Sequence, residues 1–115
     1  MKGEEVKLRF SLPKLLIKEK TMENAIALLE VQAMVAAIVG LDAMVKTANV
    51  KLIHVEKRLG GRLVTVVIEG SVSAVTAALE AGVEAAKAVG NVACAEVIAR
   101  PHADIVRFIK TDKGV

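Results

Sequence analysis

The chain has no Trp, no Tyr and only two Phe among 115 residues. A stacking platform for single-stranded nucleic acid is built from aromatic side chains, so that class is excluded. A single Cys excludes an intrachain disulfide framework and any multi-Cys zinc site, and fits a reducing, cytoplasmic setting. Two Pro, at 13 and 101, leave long uninterrupted stretches for strands and helices. No apolar run reaches the roughly 18 residues that span a bilayer, and no apolar signal-peptide segment opens the chain, so no membrane partner is expected.

Charge of one sign is also scarce where it would matter. Residues 1–20 carry six basic and three acidic groups, whereas residues 21–115 balance ten against ten. The net +3 therefore belongs to the leader. A nucleic-acid-binding domain needs a basic face on its folded body, and a neutral body argues against that partner.

What the chain does have is Ala and Val, 18 of each, against 11 Leu. Small side chains bury little area, at about 25 cal/mol per Å². A body of this size built from them has a thin core, and small domains often gain stability by oligomerising. Alanine-lined surfaces also let neighbouring elements approach closely. An obligate oligomer is expected on these grounds alone.

Residues 6–12 alternate strictly, with Val6, Leu8, Phe10 and Leu12 on one face and Lys7, Arg9 and Ser11 on the other. That is a half-buried strand, stopped by Pro13. Residues 14–20 form a basic connector, and 1–21 read as an added segment before Met22. The body then reads as strand 24–31 and helix 33–48, the helix with Met34, Ile38, Leu41 and Val45 at helical spacing. A strand at 50–57, a turn at Gly60-Gly61 and a strand at 63–69 follow. Ser71 or Ser73 can cap a helix over 73–88. A strand at 92–98 stops before Pro101, and 103–110 suits a short terminal helix. The order β-α-β, hairpin, β-α-β is the split βαβ, ferredoxin-like α+β arrangement. It predicts an antiparallel sheet with both main helices on one face, leaving the other face for a cover or a partner.

Catalytic chemistry finds little footing. His54 lies mid-strand and reads as a packed or hydrogen-bonded residue. Cys94 sits in an apolar strand and reads as buried filler, without the base or positive neighbour that a thiolate nucleophile needs. Glu80 and Glu84 fit an exposed helix face better than acid–base work. No HExxH, CxxC, EF-hand or Walker A pattern occurs, so no enzyme, metal or cofactor is expected. Gly60-Gly61-Arg62 suits a hairpin turn, or a glycine-rich turn offering backbone N–H groups to an anion. Lys46 and Arg100-Pro101-His102 are either solvated termini or polar contacts between molecules.

Several segments together resemble one family. Asp42-Ala-Met-Val-Lys-Thr-Ala-Asn-Val50, Leu63-Val-Thr-Val66, Ala81-Gly82, Val89-Gly90 and Arg100-Pro-His102 are similar to the single-domain hexameric shell proteins of bacterial microcompartments. Met22-Glu-Asn-Ala-Ile-Ala-Leu-Leu-Glu-Val31 resembles that family's start, and the similarity runs over about residues 22–110, leaving 111–115 as a tail. The resemblance implies a non-enzymatic homohexameric tile with a central pore. Such tiles join other shell proteins around encapsulated enzymes. It implies a tile-to-tile edge at Lys46, Asn49, Arg100, Pro101 and His102, and a pore lined by Gly60, Gly61 and Arg62. Here the chain departs from the family: after Glu56-Lys57 it carries one extra residue, and Arg62 stands where a small residue is usual. An inward Arg62 would ring the axis with six guanidinium groups and favour anions. If it lies along the tile face, glycine N–H groups line the pore instead. The leader strand is a second departure. It suits a lid over the pore, a strand added to a sheet edge, or a disordered tail. A ferredoxin-like sensor of small ligands is the competing reading of the body.

Overall fold

A computed structural model describes residues 24–110. The strand expected in the leader, with Val6, Leu8, Phe10 and Leu12, and the tail 111–115 lie outside them. The elements run β1 (Ala25–Gln32), α1 (Met34–Thr47), β2 (Lys51–Glu56), β3 (Leu63–Gly70), α2 (Val72–Lys87), β4 (Asn91–Ala99) and α3 (Ala103–Lys110). The sheet order is β2-β3-β1-β4 with every pair antiparallel. This is the split βαβ topology that the element order predicts, with strand and helix ends within about two residues of the expected ones.

Period-2 alternation sorts the strands onto two faces. Ala25, Ala27, Leu29 and Val31 of β1 and Val64, Val66 and Ile68 of β3 face α1 and α2, where they join Met44, Val75, Ala78 and Ala86 in the core. Ser71 caps α2, its Oγ accepting from Ala74 N at 3.1 Å. The short α3 lies over the opposite face, where Val106 shares a cavity lining with Ile26 and Phe108 with Leu28 and Val67.

The face that α1 buries differs from the one its large residues suggest. Ala36, Ala37, Gly40 and Met44 are buried, while Met34, Val35, Ile38 and Val45 stay exposed, Ile38 at 58%. The reason is the crossing with α2. A Cβ on Gly40 would lie 3.3 Å from Gly82 O, and one on Gly82 would lie 3.2 Å from Gly40 O. Backbones this close leave no room for a side chain at the crossing point itself, and Met44 is the one large residue that α1 buries beside it.

Cys94 is another correction: it is exposed rather than buried filler. The β1–β4 register shifts between Glu30 and Val31, which sets Cys94 opposite Glu30 on the face away from the core. β4 is also an edge strand among the described residues, none of which pairs with its outer side.

Replacing Gly82 by Ala should lower the thermal unfolding midpoint. The new methyl would sit 2.5 Å from Met44 Cγ, inside the core. Overpacking of this kind costs about 1–3 kcal/mol, against ~1 kcal/mol gained from Ala's helix propensity. A thermal melt beside the wild type checks it, and an unchanged midpoint would mean the helices separate freely.

Candidate functional site: the β2–β3 loop and the opposite end of the sheet

β1 runs between the two candidate sites. At its first residue, Ala25 pairs with Gly70 and with Ala99, next to Arg100. At its last, Gln32 pairs with Leu63, next to Arg62, and with Asn91. Eight extended residues place these ends roughly 23 Å apart. The implied pore residues and the implied edge residues therefore occupy opposite ends of one sheet.

At the loop end, Leu63 N donates to Gly60 O at 3.0 Å, closing a two-residue turn. Its central residues are both left-handed, Gly61 at φ 62° and Arg62 at φ 64°, after Gly60 at φ 83°. Positive φ at both centres is the hairpin-turn geometry that matches strand twist. Glycine takes it freely, but for Arg62 it is a strained conformation. The strain has a partner. Ala33, between β1 and α1, has φ 94°, and its N–H donates to Arg62 O at 2.7 Å. The Gln32 amide adds a second hold: its Nε2 donates to Gly61 O at 3.1 Å, while its Oε1 accepts from Asn91 Nδ2 at 3.2 Å. Sequence reading missed Ala33, Gln32 and Asn91. The available signal was a polar residue closing an apolar strand, at Gln32, and another opening β4, at Asn91.

The other arm of the loop is held by Glu56. Its Oε2 accepts from Arg58 N at 3.0 Å and from Arg58 Nε at 3.4 Å, and its Oε1 lies 3.3 Å from His54 Nε2. His54 and Glu56, two apart on one strand, share a face. His54 is thus the half-buried, hydrogen-bonded strand residue expected. The Arg58 backbone N–H first, and then His54, hold the Glu56 carboxyl below the usual glutamate range. Arg62 and Lys57 are exposed and make no ion pair among the described residues.

At the far end, Lys46 Nζ pairs with Asp42 Oδ2 at 2.8 Å on the exposed surface of α1, and that hydrogen bond raises its pKa. Asn49 is exposed, and its carbonyl lies beside Gly70, 3.1 Å from where a Cβ there would stand. Arg100 is exposed with φ 47°, turning the chain out of β4 ahead of Pro101. His102 opens α3, its Nδ1 accepting from Asp104 N at 3.0 Å. Glu80 and Glu84 lie on the exposed face of α2. Among the described residues no group of three or more His, Cys, Asp or Glu is placed to hold a metal ion. No described helix is long and apolar enough to cross a membrane.

A four-stranded antiparallel sheet of this order, with two helices crossing on one face, defines a split βαβ, ferredoxin-like α+β domain. The model of the BMC domain matches residues 25–101. The chain is 46% identical to the bacterial microcompartment shell protein PduA of Citrobacter freundii, over 81% of this chain and 97% of that protein. It is 42% identical to the carboxysome shell protein CsoS1 of Prochlorococcus marinus, over 75% of this chain and 84% of that one. A crystal structure of a microcompartment protein from Desulfitobacterium hafniense superposes with a TM-score of 0.69 at 27% identity. That superposition covers 81% of this chain and 50% of the other, so this chain spans half of that protein's length. The chain belongs to the bacterial microcompartment shell protein family. Its role is structural rather than enzymatic, and its place is the microcompartment shell.

Two variants probe the loop. Arg62→Gly should stabilise the fold by about 0.5–1 kcal/mol, the left-handed penalty of roughly 1–2 less the entropy cost of glycine. Urea unfolding measures it, and a loss of stability would mean that the Arg62 side chain packs usefully. Glu56→Gln should lower stability at neutral pH. A depressed carboxyl pKa contributes stability above the unfolded-state value and loses it as pH falls through the folded one. The gap between wild type and variant should therefore close in acid, as seen in melting temperatures from pH 7 to pH 3, and a constant gap would contradict the assignment.

Proposed function

We propose that six copies of this chain form a cyclic tile, with Gly60, Gly61 and Arg62 around the axis and Lys46, Asn49, Arg100, Pro101 and His102 at the perimeter. The observation that carries this reading is the placement of the two groups at opposite ends of β1. A ring followed by lateral tiling requires one group at the axis and the other at the perimeter, which this separation allows. The exposed apolar stripe of α1 and the edge of β4, unpaired among the described residues, offer the surfaces for neighbours within the ring.

At the rim, Lys46 and Arg100 bring cations toward their symmetry mates. Such a contact is tolerable when the stems pack and the charged ends find carbonyl or carboxylate acceptors, as Lys46 already does with Asp42. At the axis, Arg62 brings a positive charge that has no ion-pair partner among the described residues. Six of them raise the local concentration of anions and repel cations. The pore then passes small anionic or polar metabolites between the surroundings and the enzymes that the shell encloses, and other shell proteins of the same compartment complete the facets.

Light scattering on a sizing column at moderate salt tests the ring. Six chains of 12.1 kDa give about 73 kDa. A stable dimer or trimer would remove the central pore and favour the small-ligand sensor instead. Arg100→Ala should keep that mass and lose the sheets or tubes seen by electron microscopy at low salt. Sheets as extensive as those of the wild type would place the tile contact elsewhere.

A further inference from the structure

The turn itself orients the Gly60 carbonyl, which accepts from Leu63 N, but not its central Gly61–Arg62 peptide. A Cβ placed on Gly60 or Gly61 would meet nothing within 4 Å, and glycine accepts either hand of φ. The Gly61–Arg62 peptide could therefore face either way, were it not held from outside.

It is held twice. Gly61 O accepts from Gln32 Nε2, and the next carbonyl, Arg62 O, accepts from Ala33 N. A carbonyl can only accept, so the Gly61 contact dictates which end of the Gln32 amide faces the loop. Asn91 Nδ2 fills the other end, at Gln32 Oε1. Two successive loop carbonyls are thus drawn toward the corner between β1 and α1. In a trans peptide the N–H points opposite to the C=O, and the described residues contain no cis bond. The Arg62 N–H, in the same plane as Gly61 O, is therefore directed away from that corner.

We propose, on the reading that this loop lines a pore, that Gln32 and Asn91 are its specificity-positioning residues. Their side-chain relay keeps the Gly61 carbonyl turned to the body of the domain, so that the loop offers N–H donors and the Arg62 guanidinium to a passing small anion. Without the relay the peptide is free to flip. Six carbonyl oxygens would then share the rim with six guanidinium groups, and would satisfy them in place of the anion. Anion preference thus depends on two uncharged amides that do not themselves reach the opening.

The test uses the full-length wild type, Gln32→Met, Asn91→Ala and Arg62→Ala. Methionine keeps the length of Gln32 and changes no charge. Each protein is first weighed by light scattering. The hexamers are then incorporated into planar bilayers, and the chloride-to-potassium permeability ratio is read from the reversal potential in a potassium chloride gradient. The wild type should prefer chloride, and Arg62→Ala should lose that preference. Gln32→Met should lower the ratio by about 2- to 10-fold at unchanged hexamer mass, as loss of one neutral hydrogen bond allows. Asn91→Ala should lower it by less. A Gln32→Met hexamer as selective as the wild type overturns the relay while leaving the pore intact. Should Gln32→Met fail to assemble, an Asn91→Ala hexamer with undiminished selectivity overturns it equally. A wild type that is not hexameric, or shows no anion preference, overturns the pore reading and the relay with it.

Discussion

The close crossing of α1 and α2 at Gly40 and Gly82 governs the rest of the molecule. Each glycine leaves the other's carbonyl just over 3 Å from where a methyl would be. Around that contact α1 buries Ala36, Ala37, Gly40 and Met44 and α2 buries Val75, Ala78, Leu79, Gly82 and Ala86, while Met34, Val35, Ile38 and Val45 stay at the surface. A chain with a core this thin has apolar area left over, and it is exposed on the elements that a neighbouring copy can reach. The same economy of side-chain volume that lets the helices touch makes the isolated protomer an incomplete object.

A second constraint acts at the β1–α1 corner. Ala33 and Arg62 both occupy the left-handed region, and they are joined by a backbone hydrogen bond. Each conformation costs about 1–3 kcal/mol and persists only where its surroundings over-determine it. Here the surroundings are the ends of three strands, tied by Gln32 and Asn91 on one side and by Glu56 on the other. Strain and polar contacts therefore converge on the segment that carries Arg62. At the far end of β1 the Lys46–Asp42 pair and the His102–Asp104 contact stand on the exposed surface.

Much of this was legible in the chain. The apolar strand at 63–69, the Gly60-Gly61 turn, the Ser71 cap and the Pro101 stop are local signals, and each found its place. The resemblance carried by the Asp42–Val50, Leu63–Val66 and Arg100–His102 segments pointed to the family that the comparisons show. What misled was periodicity read without volume. The spacing of Met34, Ile38, Leu41 and Val45 marks a helix correctly, yet the buried stripe is the one with the smaller side chains. Cys94 misled for a related reason: an apolar neighbourhood does not reveal a register shift or an edge position.

The sequence by itself determined the element order, the topology class and the identity of the turn and cap residues, because these depend on neighbours a few positions away. Tertiary structure alone decided which face of α1 is buried, which way Cys94 points and which peptides of the loop are held. Those outcomes depend on pairs far apart in the chain: Gly40 with Gly82, Gln32 with Gly61 and Asn91, and Ala33 with Arg62. Their energies arise only when the sheet brings the partners within contact distance, and no local pattern announces that meeting.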